Sequence, residues 1–167
     1  MLIYHPVYDL SHGMFRMLRL LETKIDHELK WDTYRILDLY YIFPHLLADA
    51  RLPQGMTKRK RDFEKLGSKY SKVPSPRMFI QQMQGIHESI GRSLVAKGFV
   101  EPAEYESGML RRTKTPIPEQ LAEAFANATD DRVLVEMLAN ELATIPLSGV
   151  NGLKDRTGLL EHRYDAS

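Results

Sequence analysis

The sequence predicts a mainly α-helical fold with a small β-hairpin, and three observations in the stretch 76–119 carry that prediction. First, Phe79, Met83, Ile86, Ile90 and Leu94 recur at spacings of four, three, four and four, which places them on one face of an α-helix. Second, Lys97-Gly98 stops that helix. Glycine takes the left-handed conformation beyond a helix end without a Cβ penalty, and the lysine suits the negative terminus. Third, Phe99-Val100 and Met109-Leu110 flank a polar connection that contains Gly108, the pattern of two strands joined as a hairpin. Arg111, Arg112 and Lys114 follow on the returning arm, before Pro116 and Pro118 introduce another helix. Helix, short strand, hairpin, basic arm and helix is the order of a winged-helix module. A winged-helix-like single domain is therefore expected.

The rest of the chain is compatible with one such domain. Its 167 residues fit a single unit, and a chain of this size buries roughly 70% of its extended surface. Hydrophobic residues make up 43% and charged residues 27%, an ordinary globular supply. A net charge of +1 argues neither for nor against a polyanionic partner. The absence of cysteine excludes disulfides, zinc–thiolate sites and thiol nucleophiles together. The opening MLIYHPVYDLSHG lacks the basic and apolar blocks of a secretory signal. No apolar run approaches the roughly 18 residues of a membrane span. The expectation is a soluble, cytoplasmic protein.

In chain order, Leu2 to Tyr8 form an apolar start broken by Pro6. Asp9 or Ser11 is suited to cap the first helix, whose stripe is Met14, Met17, Leu18, Leu21, Ile25 and Leu29. Asp32 is a natural cap for the second helix. That helix is apolar almost all round, with Tyr34, Ile36, Leu37, Leu39, Tyr40, Tyr41, Ile42 and Phe43. Such a helix lies at the centre of a core or under another chain. Pro44 suits the first turn of a further short helix.

Residues 51–77 read as a basic insertion, because Lys58 to Lys72 contains seven Lys or Arg against two acids. Phe63 and Leu66 are its apolar anchors. After Pro118 a helix carries Leu121, Ala122 and Phe125. Asp130 is placed to cap another, with Val133, Leu134, Met137, Leu138 and Leu142 as its stripe. Pro146 ends it. Residues 1–146 are thus expected to form the domain, and 147–167 a C-terminal tail, extended or ordered on a partner.

The sequence offers little for catalysis. The six histidines include no pair at i and i+4 on one helix, so no metal site is expected. There is no G-x-S-x-G elbow and no G-x-x-x-x-G-K-[ST] loop. The expectation is a protein without cofactors and without enzymatic activity. Two features point to binding instead. The basic residues Lys58, Arg59, Lys60 and Arg61, with Arg111, Arg112 and Lys114, have the charge to contact DNA phosphates. The aromatic residues Tyr34, Tyr40, Tyr41 and Phe43 of the second helix suit a protein interface.

YHPVYDLSHGMFRMLRLLE (Tyr4 to Glu22), DTYRILDLYYIFPHLL (Asp32 to Leu47) and RSLVAKGFVE in the helix-and-wing segment resemble the small middle component of ABC-three-component systems. Lamassu-type bacterial defence operons are the best-known members. The resemblance spans roughly residues 2–145 and implies a non-catalytic accessory subunit. Such a subunit would link an SMC-like ATPase to an effector nuclease in an anti-phage or anti-plasmid complex that also handles DNA. The alternative is a free-standing winged-helix transcriptional regulator that binds DNA by itself. The neighbouring gene separates the two: Walker motifs favour the subunit, a nearby palindromic operator the regulator.

Overall fold

The computed structural model describes residues 6–66 and 75–160. A 3-10 turn at Pro6–Tyr8 leads into α1 (Leu10–Thr23), β1 (Glu28–Lys30) and α2 (Trp31–Ile42). A 3-10 helix at Pro44–Asp49 precedes α3 (Thr57–Glu64), α4 (Pro76–Gln82), α5 (Gln84–Ala96) and α6 (Pro102–Glu106). Then come β2 (Met109–Arg111), α7 (Glu119–Asn127), α8 (Arg132–Asn140), a 3-10 turn at Leu142–Thr144, and α9 (Leu153–Thr157). The fold is mainly helical with one small antiparallel pair of strands, compatible with a winged-helix-like domain.

Helix α1 starts where Asp9 accepts a hydrogen bond from the His12 amide at 3.1 Å, satisfying one of the helix's orphan donors. It buries Met17, Leu18, Leu20 and Leu21 against α5 and α8. Gly13 sets the approach of α1 to α5, since a Cβ there would lie 2.2 Å from Ile90 Cδ1. Helix α2 runs through the centre, with every residue from Thr33 to Tyr40 buried. Its start differs from expectation. Lys30 is the capping position, and Asp32 lies in the first turn, paired with Lys154 and Arg35. Asp131 rather than Asp130 precedes α8, and its carboxylate is engaged with Arg19 instead of the helix end.

The strands pair differently from a simple hairpin. β1 and β2 form the ladder, with Leu29 opposite Leu110. The expected arm at Phe99-Val100 adds a single bridge, Val100 to Arg112, held by Glu101 N–H to Arg111 C=O at 2.9 Å and Thr113 N–H to Phe99 C=O at 3.0 Å. Two local causes account for this. Lys24 is extended and His27 has φ 55°, so α1 stops early and Leu29 enters the core from a strand. Pro102 then pre-sets a helical turn, and PAEYE winds into α6 where the polar connection was expected. Ile25, placed on the first helix's buried stripe by its spacing, is instead 84% exposed.

The segment 147–160 corrects the expectation of an extended tail. Leu153 and Leu159 are buried in the main core. The Leu153 amide donates to Pro146 C=O, the Arg51 amide to Arg156 C=O, and the Arg77 guanidinium to Gly158 C=O. Leu153 opens the short helix α9, and Gly158 (φ 70°) ends it and turns the chain so that Leu159 also reaches the core. Residues 161–167 of the expected tail lie outside the described residues, as do 67–74 of the expected insertion. The described part of the insertion is a helix and its flanks, anchored by Phe63 and Met56. Leu66, the other expected anchor, is 46% exposed.

Candidate functional site

Two charged side chains, Arg16 and Asp38, and the imidazole of His87 meet where α1, α2 and α5 converge. Arg16 Nε donates to Asp38 Oδ1 at 2.7 Å and Arg16 Nη2 to Asp38 Oδ2 at 3.2 Å. His87 Nε2 lies 2.9 Å from Asp38 Oδ2, a contact that requires the proton on Nε2. Asp38 is 0% exposed and His87 1%. Burial alone would raise Asp38, but the Arg16 charge and the hydrogen bonds from His87 and Arg16 outweigh it. The carboxyl is held well below the usual carboxylate range. Arg16 is desolvated by burial, and Asp38 nevertheless raises its pKa. The Tyr34 hydroxyl and His87 Nδ1 are buried beside this cluster without a hydrogen-bond partner among the described residues. Enclosed as it is, the cluster acts as an internal clamp between three helices. Sequence reading missed it, although Asp38 is an acid inside an otherwise apolar helix, which was the available signal.

The four aromatic candidates, three on α2 and Phe43 just after it, are mostly turned inward. Tyr34, Tyr40 and Phe43 are buried, and Phe43 stacks edge-on with Phe79 at 5.1 Å. Their apolar surface therefore packs within this chain. Tyr41 alone of the four is half-exposed. Its hydroxyl accepts from Arg19 Nη1 at 2.7 Å, and the same guanidinium holds Asp131 at 2.7 Å and Ala128 C=O at 2.6 Å. Burial, only partly offset by the Arg19 charge, pushes the Tyr41 phenol up to about 12. It stays a neutral hydrogen-bonding group at any physiological pH.

The seven basic candidates divide sharply. On α3, Arg59 pairs with Glu141, and Lys60 Nζ donates to Ala50 C=O at 3.0 Å. Lys58 and Arg61 are exposed with no ion pair among the described residues. In the wing, Arg111 is bridged to Glu28 at 2.8 Å and Glu104 at 3.1 Å. Arg112 is the most deeply engaged. It binds Glu22, donates to Phe99 C=O at 2.7 Å and Thr115 C=O at 2.8 Å, and lies over the Phe99 ring. Lys114 is exposed. The wing thus presents guanidiniums already matched by carboxylates. Replacing Arg112 with alanine is expected to destabilise the fold by about 2 kcal/mol. Lys58→Ala and Arg61→Ala are expected to stay within about 0.5 kcal/mol. Urea denaturation of the three variants checks the contrast.

No group of three or more His, Cys, Asp or Glu side chains suited to a metal occurs among the described residues. No described helix is long and apolar enough to cross a membrane. The geometry defines a winged-helix-like domain whose interior is cross-braced by charged groups and whose surface charges are partly self-matched. The chain belongs to the middle components of ABC-three component systems: it matches the family described as ABC-three component (ABC-3C) system Middle Component 5 over residues 2–165. No curated protein and no solved structure matches it. Middle components are accessory parts of defence systems, and protein partners follow from that membership.

Proposed function

We propose that this chain is a non-catalytic adaptor that joins an SMC-like ATPase to an effector nuclease in a cytoplasmic, Lamassu-type defence complex directed at phage or plasmid DNA. The observation that carries the proposal is the family match across nearly the whole chain, on a winged-helix-like fold. The wing supports protein contact over DNA contact, because Arg111 and Arg112 are matched by Glu28, Glu104 and Glu22. Lys58, Arg61 and Lys114 are the residues left to meet phosphates within the assembly. Of the four aromatic candidates, Tyr41 is the one left to meet a partner, over the core that Tyr34, Tyr40 and Phe43 shape.

Co-expression with the neighbouring genes and purification through a tag on this chain tests the proposal. A stable stoichiometric complex containing a coiled-coil ATPase is expected. Recovery as a lone monomer or homodimer that binds DNA with a steep salt dependence would instead establish the free-standing regulator.

A further inference from the structure

The strand β1 has one edge in a ladder and one edge open. Hydrogen bonds from Arg112 N–H to His27 C=O and from Trp31 N–H to Gly108 C=O, with Leu29 opposite Leu110, fix the alternation of the antiparallel pair. Residues 27, 29 and 31 face β2, so the main-chain groups of Glu28 and Lys30 point to the other side. There the Glu28 amide donates to Asp26 at 3.3 Å. The Glu28 carbonyl and the Lys30 amide have no partner among the described residues. Glu28, Leu29 and Lys30 line a groove of about 240 Å³, together with Met109 and the segment Ala143 to Leu147.

We infer that this groove takes an extended segment of a partner subunit, which adds to β1 as a third strand. An acceptor and a donor two residues apart on a strand edge are complementary to another extended backbone. Side-chain charge narrows the occupant further. Of the charged residues lining the groove, Lys24 is paired with Asp26 and Glu28 with Arg111. Lys30 is exposed and unpaired among the described residues. The segment therefore carries an acidic side chain opposite Lys30. The inference rests on the adaptor reading and names the surface through which one component is held.

Lys30 has φ −63° and ψ 145°, values that proline adopts without strain, and Leu29 before it is already extended. Lys30→Pro thus deletes the open donor and blocks the edge, while Lys30→Ala deletes only the charge. Both variants are expected to melt within about 4 °C of the parent chain. The experiment uses the chain co-expressed with the other two components. It measures assembly affinity together with hydrogen exchange resolved to the Lys30 amide. The expected result is fast exchange at Lys30 in the free chain, at least about tenfold slower exchange in the complex, and at least about tenfold weaker assembly for Lys30→Pro than for Lys30→Ala. An assembled complex in which Lys30 exchanges as fast as in the free chain overturns the inference, and so does unchanged assembly of a folded Lys30→Pro. If Lys30→Pro does not fold, the exchange measurement on the parent chain decides alone. A parent chain that fails to assemble overturns the adaptor reading and this inference with it.

Discussion

Asp38→Ala is expected to cost about 3–5 kcal/mol, a large share of the stability of a small domain. The substitution removes the carboxylate that accepts from Arg16 and His87 and leaves a guanidinium buried without its counter-charge. Arg16 is 8% exposed, so water cannot replace the lost partner cheaply. Because α1, α2 and α5 all supply one member, the loss is felt at the centre of the helical core and not at one contact. Thermal melts are expected to shift downward by roughly 10 °C or more. Exchanging Arg16 and Asp38 together for apolar residues of similar volume is expected to recover much of the loss, since a buried ion pair is often replaceable as a unit. If Asp38→Ala melts within a degree or two of the parent, the clamp contributes nothing.

The same cluster sets a dependence on pH with a definite sign. Asp38 is held below the usual carboxylate range in the folded chain, so the folded state binds its proton less readily than the unfolded state does. Its contribution is complete above the unfolded carboxylate range, near pH 4, and is lost as pH falls from there toward the depressed folded value. Asp38→Asn removes that titration, and its stability is expected to fall less steeply in acid than that of the parent.

What was legible in the sequence follows from which forces act locally. The stop at Gly98 (φ 82°), the cap by Asp9 and the 3-10 helix opened by Pro44 were readable, because each depends on one residue's own backbone preference or on a partner three residues away. The apolar α2 was readable as a helix at the centre of a core or under another chain, since its composition leaves little polar face, and its residues from Thr33 to Tyr40 are buried within this chain. The ladder between β1 and β2 was not, because Glu28 and Arg111 are 83 residues apart and a three-residue strand has too few positions to show alternation. The clamp failed to appear for a related reason: Arg16, Asp38 and His87 sit on three helices, and nothing in their spacing announces convergence. The basic residues were visible as charges but not as pairs. Only the fold brings Glu22 to Arg112 and Glu141 to Arg59, and so separates engaged cations from free ones.

The second large effect concerns the segment after Pro146. A chain ending at Pro146 is expected to lose about 3–6 kcal/mol, from two leucines, Leu153 and Leu159, that are 0% and 2% exposed in the full fold. The truncation also strips Lys154 from Asp32, and Arg156 from the main chain of Arg51. Both contacts brace the region between α2 and α3, so α3 with its exposed Lys58 and Arg61 should loosen along with the core. Leu153→Ala separates packing from chain length, and its expected cost of about 2–5 kcal/mol should account for most of the truncation's effect. Urea denaturation of the full chain, the truncated chain and the point variant measures all three. An independent tail predicts coincident curves for all three proteins. A fold completed by its C-terminal segment predicts midpoints ordered with the full chain highest, Leu153→Ala lower and the truncated chain lowest.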